Sequence, residues 1–223
     1  MCEGCGRPFE PAAAHSTQPL CRLCRADVYA FERARSFAAY NETLSEAILL
    51  LKYDQVTRLG DWFAARLAEI VQREAGEWRA DAVVPVPLHP ARQRERRFNQ
   101  AEAIARPLAR LLNLSCEPRL LVRTKPRPSR LLLSRSERWT SVRGAYATRA
   151  GREVDNQRIL LVDDVMTTGA TLDACSRALK RAGASAVLGL TVARVRFWPG
   201  DSGLVAKAPK ALTSKPGRNE LHR

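Results

Sequence analysis

Long apolar runs are missing from this sequence, and their absence argues against a membrane protein. The longest runs, residues 47–51 and 159–162, are far shorter than the roughly 20 residues that a helix needs to cross a bilayer. The N-terminus shows no basic start followed by an apolar core, so no secretory signal is visible. Histidine is scarce, with three in the chain, and none supports a cysteine–histidine pair for nucleophilic catalysis. We therefore expect a cytoplasmic protein that does not insert into a membrane.

Acidic residues are few relative to basic ones. The chain has 23 Asp and Glu against 37 Lys and Arg, which gives a net charge of +14. Its 45% hydrophobic and 27% charged residues are typical of a globular protein, and 223 residues predict one ordinary domain with or without a small appendage. The positive excess has two interpretations that composition leaves open: a surface for nucleic acid, or an arginine-rich solvated surface.

The cysteines form a pattern typical of a zinc site. Cys2-x-x-Cys5 is followed, after fifteen residues, by Cys21-x-x-Cys24, and two such turns offer four thiolates to one tetrahedral ion. Two disulfides or a redox motif would use the same residues, but a cytoplasmic chain disfavours disulfides and a redox motif is not doubled. We predict one structural Zn²⁺ in a domain resembling a zinc ribbon over residues 1–30. The segment has little core of its own, so metal would hold it together.

Apolar periodicity predicts an α/β fold with a parallel sheet and helices on both faces. Continuous or alternating apolar segments predict strands, and apolar residues three and four apart predict helices. Pro107 is expected to bend its helix or delay its start. The main domain is assigned to residues 31–198, and residues 199–223 are predicted to be a disordered basic tail. The predicted strands are 36–40, 81–88, 158–163 and 187–193, and the predicted helices are 44–52, 59–70, 99–114 and 169–182.

The segment 159–172, ILLVDDVMTTGATL, is the most informative part of the sequence. A buried strand ends in Asp163 and Asp164, and Thr167–Thr171, here called the phosphate loop, then opens a helix. Small residues and a helix N-terminus let backbone N–H groups converge on a phosphate. Two carboxylates at the carboxyl end of a parallel strand suit the two hydroxyls of a ribose, or a divalent metal held by it. The ordinary alternative is a strand–turn–helix with a capping threonine. Neither G-x-x-x-x-G-K-T nor G-x-G-x-x-G occurs here.

This segment resembles the 5-phosphoribosyl-1-pyrophosphate (PRPP) signature of type I phosphoribosyltransferases. The whole chain resembles the ComF family, late-competence proteins in which a zinc-ribbon segment precedes a phosphoribosyltransferase domain. The supporting motifs cover about residues 1–195 in the family's order. Besides the four cysteines and residues 159–172, they are LKY at 51–53, VPVPL at 84–88, RRFNQ at 96–100, LSRSER at 133–138 and VRGAY at 142–146.

The resemblance implies a role for each matching residue. Asp163 and Asp164 would hold the ribose hydroxyls of PRPP, with Asp164 the expected base if one is needed. Mg²⁺ would bridge ribose and pyrophosphate, and residues 123–143 would form a mobile loop over the site. The 5-phosphate would be held by Thr167, Thr168, Gly169, Ala170 and Thr171. The pyrophosphate and the lid would be served by Lys52, Arg92, Arg94, Arg96 and Arg138.

Two departures from the family pattern fall on the pyrophosphate side. Arg97 stands where the family motif usually has Gly, and a left-handed backbone there would cost about 1 kcal/mol. The loop following Thr124 lacks the family's usual Gln. Residues 119–143 nevertheless carry eight Lys and Arg against one Glu, a charge that can offset a leaving pyrophosphate.

Two functions therefore stay open. The first is Mg²⁺-dependent transfer of a phosphoribosyl group from PRPP to an unknown acceptor, which is linked to DNA uptake in natural competence by the family resemblance. The second is a non-catalytic module that senses a nucleotide or binds single-stranded DNA or proteins of the uptake machinery. Trp139 lies in the basic loop and is the best candidate for stacking on a base. The sequence leaves the oligomeric state open, with a homodimer through the tryptophan-bearing helices as one option.

Overall fold

A five-stranded, fully parallel sheet forms the centre of the protein. Its strands are β1 (Arg33–Ala39), β2 (Ala82–Pro85), β3 (Ser115–Cys116), β6 (Arg158–Met166) and β7 (Ala186–Arg194), and β4 (Leu121–Arg123) and β5 (Tyr146–Thr148) form a second, antiparallel sheet. The order in the main sheet is β1-β7-β6-β2-β3.

The computed structural model describes residues 1–8, 19–53, 56–74, 76–126, 135–152 and 154–195. The tail predicted at 199–223 and the central part of the predicted lid, residues 127–134, lie outside the described residues.

Strand β6 shows why the sheet is covered on both faces. Ile159 and Leu161 point into one apolar core, and the alternate residues Leu160 and Val162 point into the other. All four are fully buried, as expected for a central parallel strand. The predicted α/β class with a parallel sheet is therefore confirmed.

Helices cover both faces of the sheet. They are α1 (Arg22–Arg25), α2 (Glu42–Tyr53), α3 (Arg58–Arg73), α4 (Pro90–Arg96), α5 (Gln100–Leu112), α6 (Arg135–Val142) and α7 (Ala170–Arg181). One core contains residues from α2, α3 and α5, and the other contains residues from α6, α7 and the β4–β5 sheet. Among the described residues, none of these helices could span a bilayer.

Helix α5 runs through Pro107 without ending there. A proline has no N–H for the carbonyl four residues earlier, which here belongs to Ala103. Gly60 of α3 lies against that carbonyl, and a Cβ on Gly60 would stand 2.5 Å from the Ala103 oxygen. Gly60 therefore lets α3 come close to α5 where Pro107 deprives a carbonyl of its usual helical partner. The expected delay of the helix start at Pro107 was wrong, since α5 begins at Gln100.

Candidate functional site

The phosphate loop joins the carboxyl end of β6 to the start of α7. Strand β6 continues three residues beyond the predicted Asp163, to Met166, so Thr167, Thr168 and Gly169 make the turn. Gly169 has φ 83° and precedes the first helical residue, Ala170, and this left-handed conformation favours glycine. The hydroxyl of buried Thr168 accepts a hydrogen bond from the Ala170 amide (3.3 Å). The loop therefore opens onto the N-terminal turn of a twelve-residue helix, where an anion is favoured.

Asp163 and Asp164 are the buried carboxylates immediately before this loop. Their residues are 9% and 6% exposed, and Asp163 Oδ1 accepts a hydrogen bond from the Asp164 amide (2.9 Å). The two side chains differ in charge balance because Lys52, in the last turn of α2, forms an ion pair with Asp164 Oδ2. Lys52, which the sequence indicated only as a weaker candidate, therefore contacts the carboxylate pair directly.

The two carboxyl groups have pKa values shifted in opposite directions. Burial and the neighbouring negative charge of Asp164 raise the pKa of Asp163 well above its usual range. Burial would also raise the pKa of Asp164, but the Lys52 ammonium and hydrogen bonds from Asp163 and Lys52 lower it to about 2. The pair therefore holds a firmly ionised Asp164 and a more basic Asp163, the separation of roles that acid–base chemistry uses.

The loop after β2, residues 86–89, lies beside the carboxylate pair. The Val86 amide donates to the Val162 carbonyl (2.8 Å), one residue before Asp163. Asn99 fixes the loop from the other side, because its Nδ2 donates to the Val86 carbonyl (3.0 Å) while its Oδ1 caps α5 at the Ala101 amide (3.0 Å). The asparagine of the RRFNQ motif is therefore a buried clamp between a helix start and this loop.

The arginines predicted to serve the pyrophosphate lie on α4, the helix that follows that loop. Arg92 is half-buried and Arg94 is exposed. Arg96 donates to the Tyr53 hydroxyl (3.1 Å), and its guanidinium carbon lies 4.9 Å from the Tyr53 ring centre. This contact ties α4 to the end of α2, one residue after Lys52. Arg97 has φ 64°, so the backbone is left-handed where the family usually has glycine.

The remaining predicted lid residue, Arg138, lies half-buried on α6. Trp139, the next residue, stacks on Tyr29 with ring centres 5.8 Å apart and packs against the core. One face of the tryptophan proposed for base stacking is therefore covered by the protein itself.

The four cysteines converge on one point. Their Sγ atoms all lie within 4.8 Å of one another, and Cys5 Sγ stands 3.6 Å from Cys21 Sγ. A tetrahedron with Zn–S bonds of about 2.3 Å has edges of about 3.8 Å, so the donor set fits such an ion. The Cys21 amide donates to Cys2 Sγ (3.2 Å), and a backbone N–H that points at sulfur stabilises negative charge there. This is the environment of a thiolate ligand.

A second feature is a basic pocket behind the β2–α4 loop. Its volume is about 340 Å³, and Arg106, Arg119, Arg123 and Arg149 line it with one acid, Glu102. The Glu102 carboxylate forms an ion pair with Arg106 (2.5 Å). Arg119 and Arg149 form no ion pair with any residue that the structure describes, which leaves an uncompensated positive surface there.

Sequence reasoning missed Tyr29 and gave Lys52 little weight. Each contacts the site from a distant segment: the Tyr29 hydroxyl donates to the Thr168 carbonyl (2.9 Å) across 139 residues of sequence. The motif LKY contained the only sequence-level indication for Lys52, and Tyr29 belongs to none of the motifs.

The chain is similar to a known domain family and to several known proteins. The model of the phosphoribosyl transferase domain family matches residues 99–196. The DNA utilization protein YhgH of Escherichia coli strain K12 is 30% identical over 190 residues, which are 84% of this chain and 81% of that protein. The competence protein ComFC of Bacillus subtilis is 28% identical over 197 residues, covering 83% of this chain and 74% of that protein.

Among solved structures, the purine phosphoribosyltransferase of Pyrococcus horikoshii covers 63% of this chain and 85% of its own, with 17% sequence identity and a TM-score of 0.38.

Proposed function

Because the chain belongs to the ComF family of competence and DNA-utilization proteins, we propose that it binds PRPP with Mg²⁺ at the carboxyl end of β6. The same site would transfer the phosphoribosyl group to an acceptor. The observation that carries the proposal is the buried pair Asp163 and Asp164 directly before the phosphate loop, with Lys52 on Asp164. Buried carboxylates are costly unless they are used or compensated, and only one of the two is compensated by Lys52.

The ribose and its phosphate occupy adjacent parts of this proposed site. Asp163 and Asp164 accept hydrogen bonds from the two ribose hydroxyls. These hydrogen bonds satisfy carboxylates that burial separates from water. The amides of the phosphate loop and the hydroxyls of Thr167 and Thr171 bind the 5-phosphate, with the α7 N-terminus favouring its charge. Ligand binding therefore uses the groups whose burial is otherwise unfavourable.

The pyrophosphate lies toward the β2–α4 loop in this proposal. Arg92, Arg94 and Arg96 supply positive charge from α4, and Arg138 supplies it from α6. Carboxylate oxygens are ligands that Mg²⁺ accepts, so Asp163 and Asp164 are the protein groups that would hold the ion with the oxygens of PRPP. When bound, Mg²⁺ neutralises charge on the leaving pyrophosphate.

The proposed transfer breaks the bond from the ribose C1 to pyrophosphate, whose oxygen keeps the electron pair, and forms a bond from C1 to the acceptor. Positive charge develops on the sugar, so positioning and charge stabilisation would contribute most of the rate. The acceptor loses a proton to a carboxylate of this pair, and the expectation from sequence gives that role to Asp164.

We assign zinc to the cysteine cluster as part of the same proposal. Four thiolates without histidine or carboxylate suit Zn²⁺ among the common structural ions. Metal analysis of the purified chain is expected to give one zinc per molecule, and Cys21→Ser should lose it.

Isothermal titration tests the PRPP site directly. PRPP is titrated into zinc-loaded protein with and without Mg²⁺, and into the double variant Asp163→Asn/Asp164→Asn. Saturable binding that needs Mg²⁺ and disappears in the variant is expected. Asp61→Asn, an exposed acid on α3, is the matched control and should bind normally. Absence of PRPP binding to the folded wild-type chain would refute the proposal.

A second function is favoured by the basic pocket, namely binding of a single nucleic-acid strand. The arginines that line the pocket outnumber its acids by four to one, and the two curated relatives carry names tied to DNA utilization and competence. Each phosphate contact on a single strand contributes about 0.7 to the slope of log affinity against log salt. Arg119→Gln/Arg149→Gln should therefore lower that slope by about 1.4 for an oligothymidylate. An unchanged slope would exclude the pocket as the site.

A further inference from the structure

A tyrosine from the cysteine-containing segment reaches the phosphate loop. Tyr29 follows Cys24 by five residues and is 8% exposed. Its hydroxyl donates to the Thr168 carbonyl (2.9 Å). Its ring lies so close to Gly169 that a Cβ there would stand 2.8 Å from Tyr29 Cε1. The contact therefore fixes the conformation of the loop from outside the β6–α7 unit.

The segment around Tyr29 is itself held firmly against α7. The Ala30 amide donates to Asp173 Oδ1 (2.8 Å), and Arg177 Nη2 donates to the Val28 carbonyl (2.8 Å). Asp173 and Arg177 are in turn paired (2.9 Å). The Tyr29 ring stacks on Phe31 with ring centres 4.6 Å apart. These contacts therefore hold Tyr29 in place, so its side chain has little freedom to follow a movement of the phosphate loop.

A second connection runs from the cysteine cluster to the other side of the loop. Buried Arg194 donates from Nη1 to the Cys5 carbonyl (2.5 Å) and to Met166 Sδ (2.9 Å), and Nη2 lies 3.5 Å from Cys5 Sγ. Met166 Cε lies where a Cβ on Gly169 would come within 2.8 Å. No carboxylate in the described residues forms an ion pair with Arg194, and Cys5 Sγ is the cysteine sulfur that its guanidinium contacts.

We infer that Tyr29 is a positioning residue that couples the cysteine cluster to the phosphate loop. Gly169 is enclosed by Tyr29 and Met166, and both are tied to the segment that the four cysteines organise. Metal on the cluster keeps that segment in place, so it favours the loop conformation that binds a phosphate. By reciprocity, a sugar phosphate on the loop must tighten metal binding by the same factor. This inference rests on the proposed phosphate site.

Two small ligands separate the loop from the rest of the site. Ribose 5-phosphate needs the phosphate loop, whereas Mg²⁺-pyrophosphate is expected to use the arginines of α4 and not the loop. Dissociation constants for both are measured on the zinc-loaded full chain, as wild type, as Tyr29→Phe and as Tyr40→Phe. Tyr40 lies in the opposite core and serves as the matched control.

Tyr29→Phe keeps the ring and removes one hydrogen bond, so we expect ribose 5-phosphate to weaken about threefold to tenfold. Mg²⁺-pyrophosphate and the Tyr40→Phe variant should stay unchanged. The same variants are then challenged with a chromophoric chelator. Ribose 5-phosphate should slow zinc transfer from the wild type, and Tyr29→Phe should abolish that protection. This readout needs no folded metal-free protein.

The outcomes separate the inference from the function on which it rests. Equal weakening of both ligands in Tyr29→Phe would show general damage and would overturn the inference. Binding of ribose 5-phosphate with no effect on zinc release would overturn it too, while leaving the phosphate site intact. Failure of the wild type to bind ribose 5-phosphate would overturn the inference, and failure to bind PRPP as well would refute the proposed function with it.

Discussion

Replacing Gly169 by alanine should destabilise the chain for two reasons, a strained backbone and a steric clash. Gly169 has φ 83°, which costs an L-residue about 1–2 kcal/mol. A Cβ would also stand 2.8 Å from Met166 Cε and from Tyr29 Cε1. The methionine end can turn away, but the tyrosine ring is held by its stacking and its hydrogen bond to Thr168. Overpacking of this kind adds about 1–3 kcal/mol, for a total of about 2–5 kcal/mol.

Gly151 provides a matched control for the backbone cost alone. It has φ 71°, and a Cβ there would meet nothing within 4 Å. Gly151→Ala should therefore cost about 1–2 kcal/mol, and the excess in Gly169→Ala measures the contact with Tyr29. The free energies of unfolding are obtained from urea titrations at saturating zinc. Equal destabilisation by the two variants would refute the claim that Tyr29 encloses the loop.

The same variants carry a functional readout. A shift of the loop away from Tyr29 moves its amides relative to the phosphate they are proposed to bind. Gly169→Ala should therefore weaken ribose 5-phosphate by more than tenfold, while Gly151→Ala binds as the wild type does. A destabilised Gly169→Ala chain that kept full affinity would show that the loop amides do not hold the ligand.

Three further predictions concern the helices and the carboxylate pair. Gly60→Ala should destabilise the chain by about 1–3 kcal/mol, because its Cβ would stand 2.5 Å from a carbonyl oxygen of α5. This steric cost is expected to exceed the gain from alanine's higher helix propensity. Urea titration measures the change in unfolding free energy, and a more stable variant would contradict the prediction. Arg97→Gly should stabilise by about 0.5–1 kcal/mol by relieving a left-handed backbone, whereas Arg94→Gly inside α4 should destabilise by about as much. In the wild type, the stability that Asp164 contributes is present above pH 4 and is lost as the pH falls toward its folded pKa of about 2. Lys52→Met removes the ammonium that lowers this pKa, so the pKa of Asp164 should rise toward its unfolded value and the loss of stability between pH 4 and pH 2 should become smaller; urea titrations across that pH range measure it.

The parts of the fold that sequence predicted are those that local patterns determine. Residues 159–162 are a continuous apolar run and form the central strand. That strand extends to Met166 because it pairs with β7 as far as Arg194, and a partner strand's length cannot be read from the segment itself. Helix α4 has a proline at its first position but no apolar stripe and no buried residue, so periodicity could not reveal it.

Sequence patterns grouped only those candidate site residues that lie on one segment. Asp163, Asp164 and the phosphate loop are adjacent in sequence, and the structure keeps them adjacent in space. Lys52 reaches Asp164 from α2, and Tyr29 reaches Thr168 from the cysteine-containing segment. Such contacts depend on how separate elements pack on the sheet, which no spacing within a motif encodes. Asn99 is an intermediate case. The motif RRFNQ indicates that this residue matters, but only the packing explains its hydrogen bond to the Val86 carbonyl.

These distant contacts come from residues that lie outside the range matched by the family model. The family model begins at residue 99, so Tyr29, Lys52 and strands β1 and β2 all lie outside it. The carboxylate pair cannot be understood without them, since Asp164 would be a buried charge with no counter-ion if α2 were removed. The phosphate loop would likewise lose the ring that encloses Gly169. The residues that the family model matches therefore include the carboxylates and the loop, whereas the first 98 residues contribute the counter-ion of Asp164 and the ring that lies against Gly169.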